Sequence, residues 1–332
     1  LAARRRGKKK SGRSYAWRYR GRIVACVFVE VIIICALVIM IGWNKGVKEW
    51  FEQFEQPVLK EVDISGINSP NAILMQARGG KILGEINGEA QIYPASMTKI
   101  MTVILGIENF DDLDEKITLT NEMFSGLYEQ DATQAGFQPG EEVRVIDLLY
   151  GAMLPSGAEC CIALADTISG SEADFAELMN KKARKLGMEN THFCDSTGLH
   201  NPDHYSTVKD IAVLMKYCIK NDTFREIVET SRHSTGVTNI HPDGITYYST
   251  MFKNLSDPTV TGGKILGGKT GYTSEAGHCL VSFAEIEGRE YIFVSAGASG
   301  ADGNTIPHIQ DAVTVYNRVG AAVEAKMNDN NK

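Results

Sequence analysis

With 332 residues, 43% of them apolar and 23% charged, the chain has the balance of a folded globular protein, which excludes a disordered or fibrous polymer. Its net charge of −7 hides an asymmetry, because residues 1–22 hold ten Lys or Arg and no acid, whereas residues 44 onward carry 24 basic against 40 acidic groups. So acidic a body offers no footprint for nucleic acid.

Residues 23–43 follow the basic tail as an apolar run that spans about 31 Å as a helix, close to the thickness of a bilayer core. Its thirteen Ile, Val, Leu and Phe outweigh Glu30, whose cost near mid-span is about 3 kcal/mol. The positive cluster ahead of the run places the N-terminus in the cytoplasm and the rest outside. No small-residue cleavage site follows, so a retained transmembrane anchor is expected. Cys26 and Cys35 fall in the span, and the five remaining cysteines are expected as free thiols, with Cys160 and Cys161 as small core residues.

Residues 44–65 read as a juxtamembrane linker with an amphipathic pattern at Val47, Trp50, Phe51, Phe54 and Val58. Residues 71–87 suggest two strands around the Arg78-Gly79-Gly80 turn. Helices are predicted over 94–108, 146–153, 158–168, 172–186 and 208–219, the fourth opened by Ser171 and Asp174 as a capping pair and stopped by Gly187. Residues 280–285 and 291–296 form a hairpin pattern around Glu287-Gly288, and 309–323 carries one apolar helical face. Strands at both ends with helices between them predict an α+β domain whose terminal segments share one sheet.

Ser96-Met97-Thr98-Lys99 opens the first predicted helix. At a separation of three, the lysine amine can reach the serine hydroxyl, and a lysine kept neutral by burial can act as its base. Ser206-Thr207-Val208-Lys209 has the same spacing and also opens a helix, where the serine reads as an N-cap; spacing alone does not separate the two pairs. Lys269-Thr270-Gly271 reads either as a carboxylate-holding strand edge, with Gly271 letting a peptide backbone approach, or as a glycine-rich turn with a surface lysine. Ser156, between two predicted helices, is either a cleft hydroxyl or a cap.

Together, Pro94–Thr102, Leu154-Pro155-Ser156-Gly157, Asp195–Leu199 with His204–Thr207, and Gly268–Thr273 resemble the low-molecular-mass penicillin-binding D-alanyl-D-alanine carboxypeptidases in content and order. The resemblance covers about residues 66–300 and favours Ser96 over Ser206. It implies a β-lactamase/transpeptidase-like α+β fold, an antiparallel sheet flanked by helices with an all-helical subdomain, over residues 66–326, followed by a tail at 327–332 and preceded by the one transmembrane helix. It also implies a serine acyl transfer with neither cofactor nor metal, in which Ser96 attacks and Lys99 takes its proton. Ser156 relays a proton to the leaving amine, Lys269 and Thr270 bind the terminal carboxylate beside Gly271, and the N–H groups of Ser96 and Tyr272 form the oxyanion hole. The implied partners are a peptidoglycan stem peptide ending in D-Ala-D-Ala, β-lactams as covalent inhibitors, and the cell membrane through the N-terminal helix, with the catalytic domain extracellular.

One departure stands out. The middle motif of such proteins usually ends in asparagine, and this chain has Ala158 there, followed by Glu159, which reads either as a substitute for the lost amide or, the plainer reading, as a solvated acid at a helix start. A β-lactamase or penicillin-sensing receptor would use the same Ser96 and Lys99. A zinc peptidase built on His192, Cys194, His200 and His204, or a non-enzymatic wall-binding module, would not.

Overall fold

In the computed structural model, which describes residues 59–255, 257–300 and 306–330, the two ends of the domain meet in one antiparallel sheet. The basic tail, the expected span and most of the linker lie outside the described residues. Among those described, no helix is long and apolar enough to cross a membrane.

Asn71–Gln76 (β1) and Ile82–Ile86 (β2) turn back on each other as the Arg78-Gly79-Gly80 turn predicts. The other strands of the sheet come from the far end of the chain: Thr259–Val260 (β7), Gly263–Thr273 (β8), Gly277–Ile286 (β9) and Arg289–Ala298 (β10). The order is β2-β1-β10-β9-β8-β7, with Asn71 opposite Ala296 and Lys269 opposite Val281. Two short hairpins that carry little hydrophobic pattern, Lys116–Thr118 (β3) with Glu142–Arg144 (β4) and Arg232–Ser234 (β5) with Thr246–Tyr248 (β6), escaped the sequence reading.

Alternate side chains of a strand point to opposite faces, and β1 shows the consequence. Ile73 and Met75 join a core with Met97, Ile100, Ile104 and Ile211 on the helical side, while Ala72 and Leu74 join a second core with Ile309, Ala312, Tyr316 and Val319. β9 and β10 are buried on both faces, so their sequences read as apolar runs more than as alternations. The second core is covered by the closing helix Pro307–Asn330 (α8), which runs beyond the 309–323 expected, with Met327 of the added turns packing against the same core.

Between β2 and β7 lie Lys99–Asn109 (α1), Val145–Met153 (α2), Ala158–Ser169 (α3), Glu172–Leu186 (α4), Val208–Cys218 (α5), Asp222–Glu229 (α6) and the short Thr250–Asn254 (α7). α4 starts and stops as read, with Ser171 accepting from the Asp174 N–H and Gly187 at φ 80°. α5 differs: its cap is Thr207, which accepts from the Asp210 N–H, and Ser206 is instead fully buried against Thr191 Oγ1 at 2.8 Å. Ahead of the sheet, Leu59, Val62 and Ile64 are buried and the Val62 N–H bonds Leu83 O, so the end of the linker packs on the domain.

Candidate active site

The segment expected to start a helix at residue 94 is first a 3-10 turn, Ala95–Thr98, and becomes α-helical only at Lys99. Ala95 sits at φ 47°, a left-handed conformation that alanine adopts only when its surroundings impose it. Residues i and i+3 of a 3-10 turn eclipse each other, which brings the ends of Ser96-Met97-Thr98-Lys99 together more directly than an α-turn does. Lys99 Nζ lies 3.0 Å from Ser96 Oγ and donates to Thr197 O at 2.7 Å. Lys99 is almost wholly buried while Ser96 is half-buried, so a reagent can reach the hydroxyl but water scarcely reaches the amine.

Burial pushes the Lys99 amine below its ordinary value, against the opposing pull of Cys161, Asp195 and Glu159. Lys269 is itself pushed well below its usual value, by burial first and then by Lys99. Cys160 and Cys161 pack behind Lys99 as fully buried free thiols, and burial raises Cys161 to about 12.

Thr197 O owes its position to the Asp195–Leu199 loop. Asp195 Oδ1 accepts from the Thr197 and Gly198 N–H groups at 2.7 and 2.6 Å, and its other oxygen lies 3.1 Å from His204 Nδ1. His204 Nε2 reaches Thr98 Oγ1 at 2.9 Å, and Thr102 Oγ1 donates to Ser196 O at 2.6 Å, so the loop is stitched to the helix that carries Lys99. Burial pushes the Asp195 carboxyl up, but the bonds from His204 and Thr197 outweigh it and bring it down to about 2. A Cβ on Gly198 would lie 1.9 Å from Ala95 O, so only glycine lets this loop touch the Ala95–Thr98 turn.

Lys269, Thr270, Gly271 and Tyr272 lie on β8. β7 pairs only with Gly263 and Lys264, which leaves 269–272 on an edge, as the sequence reading required. Lys269 is buried and donates to Ser156 Oγ at 3.0 Å and Thr270 O at 2.9 Å, so it is no surface lysine. Ser156 lies at φ 72° in the link between α2 and α3; the residue at the cap position of α3 is Gly157, so Ser156 is not a helix cap. Thr270 Oγ1 is 2.7 Å from Thr250 Oγ1, and the Thr250 N–H bonds Leu154 O, a tie between the strand and the Ser156 link with no signature in the sequence. A Cβ on Gly271 would meet the Ser96 backbone N at 3.0 Å and the Ala95 Cβ at 3.1 Å, so glycine also lets β8 approach the Ala95–Thr98 turn closely. Tyr272 is 62% exposed, its ring 4.7 Å from that of His278.

Ser206 and Lys209, the pair of equal spacing, are not together: Lys209 pairs with Glu89 at the surface. Nor do the four residues of the zinc reading form a cluster, since His204 serves Thr98 and Asp195 while His200 stacks edge-on against Tyr93 at 4.8 Å. Among the described residues no three His, Cys, Asp or Glu are grouped to hold a metal ion. Glu159 is not the solvated acid that a helix start suggests. It is fully buried, with Oε1 accepting from the Ala135 and Gly136 N–H groups at 2.6 and 2.9 Å.

A half-exposed hydroxyl against a buried amine, with a second buried lysine bonded to a second serine on a strand edge, has the make-up of a serine acyl-transfer centre. The family model for D-alanyl-D-alanine carboxypeptidases matches residues 58–300, and the chain belongs to that family. It is 35% identical over 231 residues to the D-alanyl-D-alanine carboxypeptidase DacF of Bacillus subtilis, covering 69% of this chain and 57% of DacF. With DacC of Escherichia coli it shares 33% over 262 residues, covering 71% and 58%, so the chain spans under three-fifths of the length of these relatives. The crystal structure of the Streptomyces K15 DD-transpeptidase superposes with a TM-score of 0.69 at 29% identity, over 79% of this chain and all of that one. A D-alanyl-D-alanine carboxypeptidase from Mycobacterium tuberculosis, 22% identical and covering 80% of this chain and 96% of that one, shares the fold with a TM-score of 0.69.

Proposed function

We propose that this protein is a serine-type D-alanyl-D-alanine carboxypeptidase. Ser96 attacks the carbonyl between the two terminal D-alanines of a peptidoglycan stem peptide, and neutral Lys99 takes the hydroxyl proton. The observation that carries the reading is the 3.0 Å approach of Ser96 Oγ to an amine that burial keeps from its full basicity. The Thr197 carbonyl takes one Lys99 hydrogen and turns the nitrogen lone pair toward the serine. Ser156 passes a proton to the leaving amine and Lys269 with Thr270 receives the terminal carboxylate, whose negative charge restores protonation to Lys269. The backbone N–H groups of Ser96 and Tyr272 face the developing oxyanion, a placement favoured by the contact of Gly271 with the Ser96 N. The second D-alanine departs, and water then hydrolyses the acyl-enzyme. β-Lactams acylate the same hydroxyl.

Residues 23–43 anchor this catalytic domain to the cell membrane from its outer side, a reading supported by their length, their apolar run and the basic residues 1–22. The test of the reaction is intact-mass measurement after exposure to benzylpenicillin and, separately, to a peptide ending in D-Ala-D-Ala. The native protein should gain one penicillin and release D-alanine, and Ser96→Ala should do neither. A penicillin adduct on Ser96→Ala would overturn the assignment.

A further inference from the structure

The link that carries Ser156 is pressed from one side by residues 133–136. The Ala158 N–H donates to Thr133 O at 2.8 Å, and a Cβ on Gly157 would strike the Ala135 Cβ at 2.7 Å and the Ala135 N at 2.9 Å. Ala158 itself is 1% exposed, while Thr133, Gln134 and Gly136 are exposed, so the surface over the alanine is made by this segment. What fastens the segment is Glu159, through the two bonds from the Ala135 and Gly136 N–H groups to Oε1. Its other oxygen is buried without a hydrogen-bond partner, close to where a Gly157 side chain would be. A fully buried carboxyl on the first turn of a helix costs several kcal/mol unless it stays neutral, and burial does raise its proton affinity. A solvated acid at a helix start would carry no such cost. Held this way, Ser156 keeps its left-handed φ of 72° with Oγ accepting from Lys269 Nζ.

We propose that Glu159 is a positioning residue for Ser156: it clamps residues 133–136 onto Gly157 and Ala158, and the clamp fixes the serine against Lys269 without an amide side chain at position 158. The proposal rests on the carboxypeptidase reading and adds to it how the middle motif works here without its usual asparagine. The carboxyl acts through backbone N–H groups, so its contribution depends on one accepting oxygen and not on charge.

The experiment is stopped-flow acylation by a fluorescent penicillin, separating the acylation rate constant from half-saturation. Glu159→Leu, which keeps volume and removes the acceptor, should slow acylation at least about 20-fold with half-saturation changed less than about 2-fold, because the serine it positions acts in the chemical step. Glu159→Gln, which keeps the acceptor, should recover the rate to within about 3-fold of native. Ala158→Asn has no room beneath the clamp and should give no acceleration. Native rates in Glu159→Leu, or faster acylation in Ala158→Asn, would overturn the clamp. Should Glu159→Leu not fold, Ala135→Gly decides, since it leaves the bonds to Glu159 and removes the methyl that presses on Gly157; it should slow acylation about 3-fold, and an unchanged rate overturns the proposal. A native protein that takes no label at all would sink the carboxypeptidase reading and the clamp's role with it, whereas a labelled native protein with an unaffected Glu159→Leu would sink the clamp alone.

Discussion

Two serine–lysine pairs of identical spacing occur in this chain, and the fold treats them in opposite ways. Ser96 and Lys99 lie on a 3-10 turn running into a buried helix, and the amine is driven inward until its nearest partners are a hydroxyl and a backbone carbonyl. Ser206 and Lys209 begin another helix, yet the serine turns into the core toward Thr191 and the lysine turns out to Glu89, both at ordinary cost. Position in the fold, and not spacing, brings one pair together: the first is overlaid by the Asp195–Leu199 loop and the β8 edge, and the second is split between the core and the surface.

The contrast breaks most sharply if Lys99 is removed. Lys99→Ala should slow penicillin acylation by about 10³-fold, the usual range for loss of a general base, with the fold retained as judged by circular dichroism. The native rate should rise with pH as the amine loses its proton, with a midpoint below the ordinary 10.5, and this rise should vanish in the variant. A native rate that is flat between pH 5 and pH 9, as measured in stopped flow, would assign the proton to another group.

Asp195→Asn acts one layer further out. Native Asp195 has its carboxyl lowered from 3.8 to about 2, so its stabilising contribution is complete above pH 3.8 and is lost as pH falls through about 2. At neutral pH the substitution should cost about 2 kcal/mol in urea unfolding, and the gap from native should narrow by pH 3. An equal gap at both pH values would mean that the hydrogen-bond pattern, and not the charge, carries the effect.

The smallest effects belong to the second pair. Ser206→Ala should cost about 1 kcal/mol through the lost bond to Thr191, and Lys209→Ala less than about 1 kcal/mol because its pair with Glu89 is exposed, neither changing the acylation rate. An acylation defect in either variant would blur the distinction between the pairs.

Much of this was legible in the sequence because it is written in short-range chemistry. The β1/β2 and β9/β10 turns, the Ser171 cap and the Gly187 stop each declare themselves within a few residues. What stayed hidden depends on partners far along the chain. Glu159 looks like any acid on a helix's first turn until Ala135 and Gly136, more than twenty residues earlier, fold over it. Thr250 gives no sign of reaching Thr270, and Thr197 contributes a carbonyl, which every residue has. The cap of α5 was misplaced by one residue because Ser206 and Thr207 are both competent caps, and the choice fell to which of them had a buried partner.

The pairing of β1 with β10 has a consequence for how the molecule comes into being. A ribosome makes Ser96 and Lys99 more than 160 residues before Gly263, where the strands that complete their surroundings begin, and β1 must wait for β10 before it has a neighbour on that side. A nascent polypeptide that has not yet reached Gly263 therefore holds the proposed nucleophile without the strand edge beside it, and on the acyl-transfer reading its chemistry waits for those strands.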